Sequence, residues 1–175
     1  MEEGTDVLVN ILRDQWERLW LMWEEMINSI PDHEWRRGDV DYLVPARHLV
    51  HVLGCVDLFT GDTPFEQHDP AGVFGVVEWG TDPAELPGRP VALAKLAEVG
   101  AAVEERLAGL DDAALLQPET LYPWTGQNRM GRMLYVLRHT QHHLGEVNAE
   151  LSRRGIRAAI WEKEKAAKLG VDPWW

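Results

Sequence analysis

Four stretches of the chain repeat apolar residues every three or four positions, the period that returns side chains to one face of an α-helix. In the first, from about residue 5 to 30, the stripe is Val9, Leu12, Trp16, Leu19, Trp23, Ile27 and Ile30. Thr5 or Asp6 is placed to cap its start, and Pro31 stops it. Trp16, Trp20 and Trp23 fall at helical spacing and read as core rather than as an aromatic binding wall. Trp20 lies off the centre of the stripe, so a pocket or an interface is its expected place. The second stretch begins near Asp41 or Pro45 and ends near Gly61. From Leu49 to Phe59 it is nearly all apolar, broken by His51, Gly54 and Asp57, the pattern of a helix buried on most sides.

The third stretch runs from about Val91 to Leu110 on Leu96, Val99, Val103, Leu107 and Leu110. Gly100 and the alanines around it allow a close helix approach. The fourth spans about Asn128 to Arg154, with Gly155 as a natural terminator. The last twenty residues, with Trp161, Trp174 and Trp175, are expected to form a short helix and tail packed back on the body. Between the second and third helices lies a Gly- and Pro-rich connection, Gly61 to Pro90, that carries Phe65, His68, Phe74 and Trp79. It is too aromatic for a simple linker and is expected to be a lid or a site wall. No stretch reads as a strand. The pattern predicts an all-α antiparallel four-helix bundle with crossover connections.

At 175 residues, 45% hydrophobic and 26% charged, the chain has the size and composition of one globular domain covering 1–175. A single cysteine, Cys55, excludes a disulfide framework and a thiolate-rich zinc site. The net charge of −12 opposes binding to nucleic acid or to an anionic membrane, since either requires basic residues. No apolar run reaches the ~20 residues of a spanning helix. The start, MEEGTD, is acidic where a signal peptide is basic, so the expected location is cytoplasmic.

The seven histidines change the picture, because they are unevenly placed. His139 and His143, four apart in the fourth helix, project from one side a turn apart, with Cβ atoms ~5–6 Å from each other. Two imidazoles so placed reach one metal ion. The glutamate that follows the first histidine in zinc proteases is replaced by Thr140, which excludes that chemistry. A third ligand is expected from the second helix, which offers His48 and His51. His51 sits among Leu49, Val50, Val52 and Leu53, where an unpaired imidazole is costly, and is the expected ligand. The bland alternative is a core histidine bonded to a carbonyl or to Asp57. His48, nearer the helix start and expected to be closer to water, competes for the same role. Three histidines without a thiolate make an open site for Zn, Ni or Fe, with Cu also compatible. Glu146, Asp57 and Arg138 are the candidate supports around it. Cys55, one turn after His51, reads as a small buried hydrophobe rather than a nucleophile.

Two segments carry a family resemblance. Leu137 to Leu151, LRHTQHHLGEVNAEL, resembles the last-helix signature of the DinB-like (YfiT-like) superfamily, and Leu49-Val50-His51-Val52-Leu53 followed by Asp57-Leu58-Phe59 resembles its second-helix signature. Pro123-Trp124 before the last helix and Trp161 after it also fit, so the likeness extends over most of the chain. The resemblance implies an up-down-down-up four-helix bundle and one divalent metal ion on His51, His139 and His143. His142 matches a neighbouring family histidine that is not a ligand. The resemblance also implies a homodimer and a small-molecule substrate, with a low-molecular-weight thiol in S-transferase or isomerase chemistry. Metal-assisted hydrolysis and a non-catalytic metal- or ligand-binding bundle in stress response remain the alternatives.

Overall fold

The computed structural model describes residues 6–156. The possible cap Thr5 and the C-terminal extension with Trp161, Trp174 and Trp175 lie outside the described residues. Within them the fold is all-helical, apart from one isolated antiparallel bridge between Pro118 and Asn128.

Helix α1, Val7–Ser29, buries the predicted stripe from Val9 to Ile27 along with Met22 and Met26, because 3.6 residues per turn brings these side chains to one face; Ile30, just past its end, is buried as well. Asp6 occupies its N-cap position without a side-chain cap. The free N–H groups of Leu8 and Val9 donate instead to Asp112 Oδ1, at 2.9 and 3.1 Å, so the cap comes from over a hundred residues away. The short α2, Asp32–Trp35, seats Trp35 in the core with its indole N–H on the Pro87 carbonyl at 2.8 Å. A 3-10 turn, Asp41–Leu43, leads into α3, Pro45–Thr60, which opens on a proline suited to the first helical position.

Gly61 to Gly88 is the long connection, containing 3-10 turns at Phe65–Gln67 and Pro83–Glu85. Helix α4, Arg89–Ala108, follows, then the short α5, Asp112–Leu115, whose first residue caps α1. Helix α6, Arg129–Arg153, begins at Asn128, whose side chain accepts from the Gly131 N–H at 2.9 Å. It ends before Gly155, which takes the left-handed φ of +72° that a terminating glycine favours. The four long helices fall within two residues of their predicted ends, with α3 starting at Pro45 rather than at the alternative Asp41, which lies in the preceding 3-10 turn.

These four pack as a ring: α1 against α4, α4 against α3, α3 against α6, and α6 against α1. Trp16 and Trp23 are buried in the centre. Trp20 is only partly covered and lines a groove of about 650 Å³ between α1 and α4, as its off-centre position predicts. Its indole donates to the Leu96 carbonyl at 2.8 Å, and a Cβ on Gly100 would lie 2.3 Å from the indole nitrogen. The nearest neighbour at Gly100 is thus the Trp20 side chain of α1, the helix that packs against α4. The α3–α6 seam is the part of the ring that carries His48, His51, His139 and His143.

Candidate metal centre

Because α3 and α6 pack against each other, His51 is brought face to face with His139 and His143. The Nε2 atoms of His51 and His139 are 3.3 Å apart, and those of His143 and His139 are 3.1 Å apart. Two nitrogens bound at ~2.0–2.1 Å to one ion, at an angle near that of a tetrahedron or octahedron, stand about 3 Å apart. The observed spacing has that value. Hydrogen bonding among the three imidazoles does not account for it fully, since a neutral ring carries only one N–H.

Carboxylates decide where two of those protons sit. His51 Nδ1 is 3.1 Å from Glu78 Oε1, and His143 Nδ1 is 2.8 Å from Glu146 Oε2. A carboxylate accepts and does not donate, so each of these Nδ1 atoms carries the hydrogen and each Nε2 presents a lone pair. This is the outer support that metal-bound histidines ordinarily have. His139 differs: its Nδ1 is buried without a partner, and its ring stacks on Tyr135 at 6.2 Å. Burial, then the neighbouring His143 and His51, pushes His139 down to about 4. Burial, followed by His51, also lowers His143 despite the opposing Glu146. Both are therefore neutral near pH 7, the form that binds a metal.

The long connection contributes Glu78, and a residue of α3 holds it there. Arg47 is buried, with its Nε on the Asp41 carbonyl at 3.2 Å and its Nη2 on Asp41 Oδ1 at 2.7 Å and the Thr81 carbonyl at 2.9 Å. Its Nη1 donates to the Glu78 carbonyl. The guanidinium thus fixes the backbone on both sides of Trp79, whose ring stacks on Tyr42 at 5.3 Å and lies 5.5 Å from His51. The expectation of a site wall from this segment agrees with that position. Tyr42 also donates to Glu146 Oε2 at 3.0 Å. Burial would raise the Glu146 carboxyl, but the hydrogen bonds from Tyr42 and His143 outweigh it and hold it below its usual value.

Several expectations need correction. His48 is not closer to water: it is fully buried, whereas the His51 side chain retains 18% exposure. The first turn of α3 faces inward, and Tyr42 covers it with a ring-edge contact to His48 at 4.9 Å. His48 does not join the three converging Nε2 atoms. Asp57 does not support His51; it pairs with Arg106 at 2.7 Å. Arg138 lies over the Tyr135 ring, and His142 is exposed. Cys55 Sγ is 3.8 Å from His51 Nε2 but outside the cluster, and burial pushes its thiol up to about 12, so it stays protonated. Glu78 and Arg47 gave no signal in the sequence, since the contact between them joins α3 to a connection without periodicity.

The buried histidines set the acid stability of the metal-free protein. Burial, followed by the neighbouring His143, pushes His48 down to about 4 from 6.5. Between those values the unfolded chain binds the proton and the folded chain does not, so stability is complete above 6.5 and falls as pH drops toward 4. We expect the urea midpoint of metal-free protein to decrease between about pH 7 and about pH 5, and less so in His48→Phe. An unchanged wild-type midpoint over that interval would refute this.

A family model of the DinB superfamily matches residues 15–147, more than half of the chain and inclusive of all three histidines. No curated protein and no solved structure matches. No helix among the described residues is long and apolar enough to cross a membrane.

Proposed function

Since the chain belongs to the DinB superfamily, we propose that it is a divalent-metal-dependent enzyme of the thiol S-transferase type. The observation that carries the metal reading is the convergence of His51, His139 and His143 through Nε2 atoms 3.1 and 3.3 Å apart. A bound Zn, Ni or Fe ion supplies Lewis acidity that lowers the pKa of a coordinated thiol or water. Three neutral protein donors leave positions open for such a ligand.

The chain's own groups prepare that site. Glu78 and Glu146 retain the Nδ1 protons of His51 and His143 and keep both rings turned toward a common point. Tyr42 orients Glu146, and the stacked Tyr42–Trp79 pair forms an aromatic wall beside His51. Both aromatic residues are about 40% exposed, at 39% and 41%, which suits them to meet a substrate arriving from solvent. Glu78 and Glu146 are each engaged with a histidine, so neither is a free general base. That favours a substrate bringing its own nucleophile, such as a low-molecular-weight thiol, over metal-assisted hydrolysis. The up-down-down-up bundle, a single domain over 1–175, the homodimer and the cytoplasmic location are part of the same proposal.

The test is to measure thiol consumption by metal-loaded, tag-free protein against a panel of electrophiles, alongside metal content. We expect turnover that depends on both ion and thiol. Ester or amide cleavage without thiol would favour the hydrolase, and ligand recovered unchanged would favour the binding protein. Glu78→Gln should weaken metal affinity by about 10–100-fold while leaving the fold intact, the usual effect of losing an outer hydrogen-bond partner. Wild-type affinity in Glu78→Gln, measured by competition with a chelator, would sink the role given to this carboxylate.

A further inference from the structure

On α3, one turn before His51, His48 is fully buried and neither of its ring nitrogens meets good hydrogen-bond geometry, although the Tyr42 backbone lies close enough to favour its protonated form. A buried polar atom left in this state costs free energy, so it calls for an explanation. Its surroundings are specific. His48 Nδ1 is 4.0 Å from Glu146 Oε2, and the same oxygen is 2.8 Å from His143 Nδ1. The His48 and His143 rings are centred 5.2 Å apart. Two imidazoles and one carboxylate therefore offer ligand atoms that all lie within 4.8 Å of one another. Glu146, the member nearest both imidazoles, lies on the Nδ1 side of His143, whereas the cluster with His51 and His139 is on its Nε2 side.

We propose a second divalent-cation site formed by His48, Glu146 and His143 Nδ1, so that the His143 imidazole bridges two ions. The proposal rests on the reading that His51, His139 and His143 hold the first ion through Nε2. The donor set of two nitrogens and one carboxylate oxygen suits borderline cations such as Zn, Co, Ni or Cu. Entry of the second ion displaces the proton on His143 Nδ1 to solvent, and Glu146 exchanges its hydrogen bond with that proton for a bond to the ion. Tyr42 still donates to Glu146 and keeps the carboxylate turned inward. Glu146 retains 27% side-chain exposure and Tyr42 39%, which gives the ion a route in. His51 lacks an equivalent arrangement: Glu78 and Cys55 lie 3.1 and 3.9 Å from its Nδ1, but the three do not form a comparable cluster among the described residues.

The experiment is to load metal-free, tag-free full-length chain with Zn or Co and count ions per chain by native mass spectrometry. We expect two at saturation in wild type and one in His48→Gln, Glu146→Gln and His139→Ala. A wild type that saturates at one, with His48→Gln unchanged, overturns this proposal alone. A wild type that binds none overturns it together with the function above. A second readout separates bridging from mere occupancy. In the dicopper(II) form an imidazolate bridge couples the two spins and depletes the electron paramagnetic resonance signal of isolated ions. His48→Gln should restore that signal, and an undiminished wild-type signal at two ions per chain overturns the bridge.

Discussion

Saturation with a divalent ion is expected to raise the unfolding temperature of this chain by roughly 8–16 °C, and His139→Ala to reduce the rise. A ligand that binds only the folded state, present at about 1,000 times its Kd, stabilises by about 4 kcal/mol. For a chain of this size each kcal/mol moves the midpoint by about 2–4 °C. His139 is the decisive position because its Nε2 is the shared neighbour of the other two, at 3.1 and 3.3 Å. In the metal-free protein the same substitution removes the His139 Nε2 contacts with His51 and His143, so the ion-dependent rise is compared with each variant's own metal-free midpoint. Thermal unfolding with and without chelator distinguishes the cases. A His139→Ala protein that gains as much from the ion as wild type would move the ligand set away from these histidines.

The second large effect lies away from the histidines, at the start of the helix that carries two of them. Arg132 Nε is 3.0 Å from Glu119 Oε2, with side-chain exposures of 1% and 3%. Glu119 Oε1 meanwhile accepts the backbone N–H groups of Leu121 and Tyr122 at 2.8 and 2.9 Å. Arg132→Leu leaves that carboxylate buried without its counter-charge, and breaking a buried pair in this way costs about 3–5 kcal/mol. Replacing both partners, as in Glu119→Gln with Arg132→Leu, should cost less than the two single losses added together. Urea denaturation of the three variants checks this. An Arg132→Leu loss below about 1 kcal/mol would mean that the pair contributes no more than a surface ion pair does.

Helical periodicity made the four long helices legible, because each is long enough to repeat its apolar stripe several times. Helices α2 and α5 have four residues each, barely one turn, and leave no such repeat. His139 and His143 were readable for the same reason as the helices: i, i+4 spacing on one element fixes their relation whatever surrounds them. The choice between His48 and His51 depends on which turn of α3 faces α6 and which is covered by Tyr42. That is a matter of contact between separate elements, and the local sequence suggested the wrong degree of exposure for His48. Asp57 was a plausible support by proximity along the chain, yet it faces Arg106 on α4. Glu78 reaches His51 from a connection without periodicity, held by a buried arginine whose neighbours Ala46 and His48 give no hint of that task.

Arg47 also determines when the connection becomes ordered. Its hydrogen bonds to Asp41, Glu78 and Thr81 involve no histidine. The segment is consequently docked before an ion arrives. Metal uptake then incurs little loss of backbone entropy from the loop, and the free energy of coordination goes into affinity rather than into ordering the chain. Amide hydrogens around Trp79 should accordingly exchange with solvent at much the same rate whether or not the histidines hold an ion.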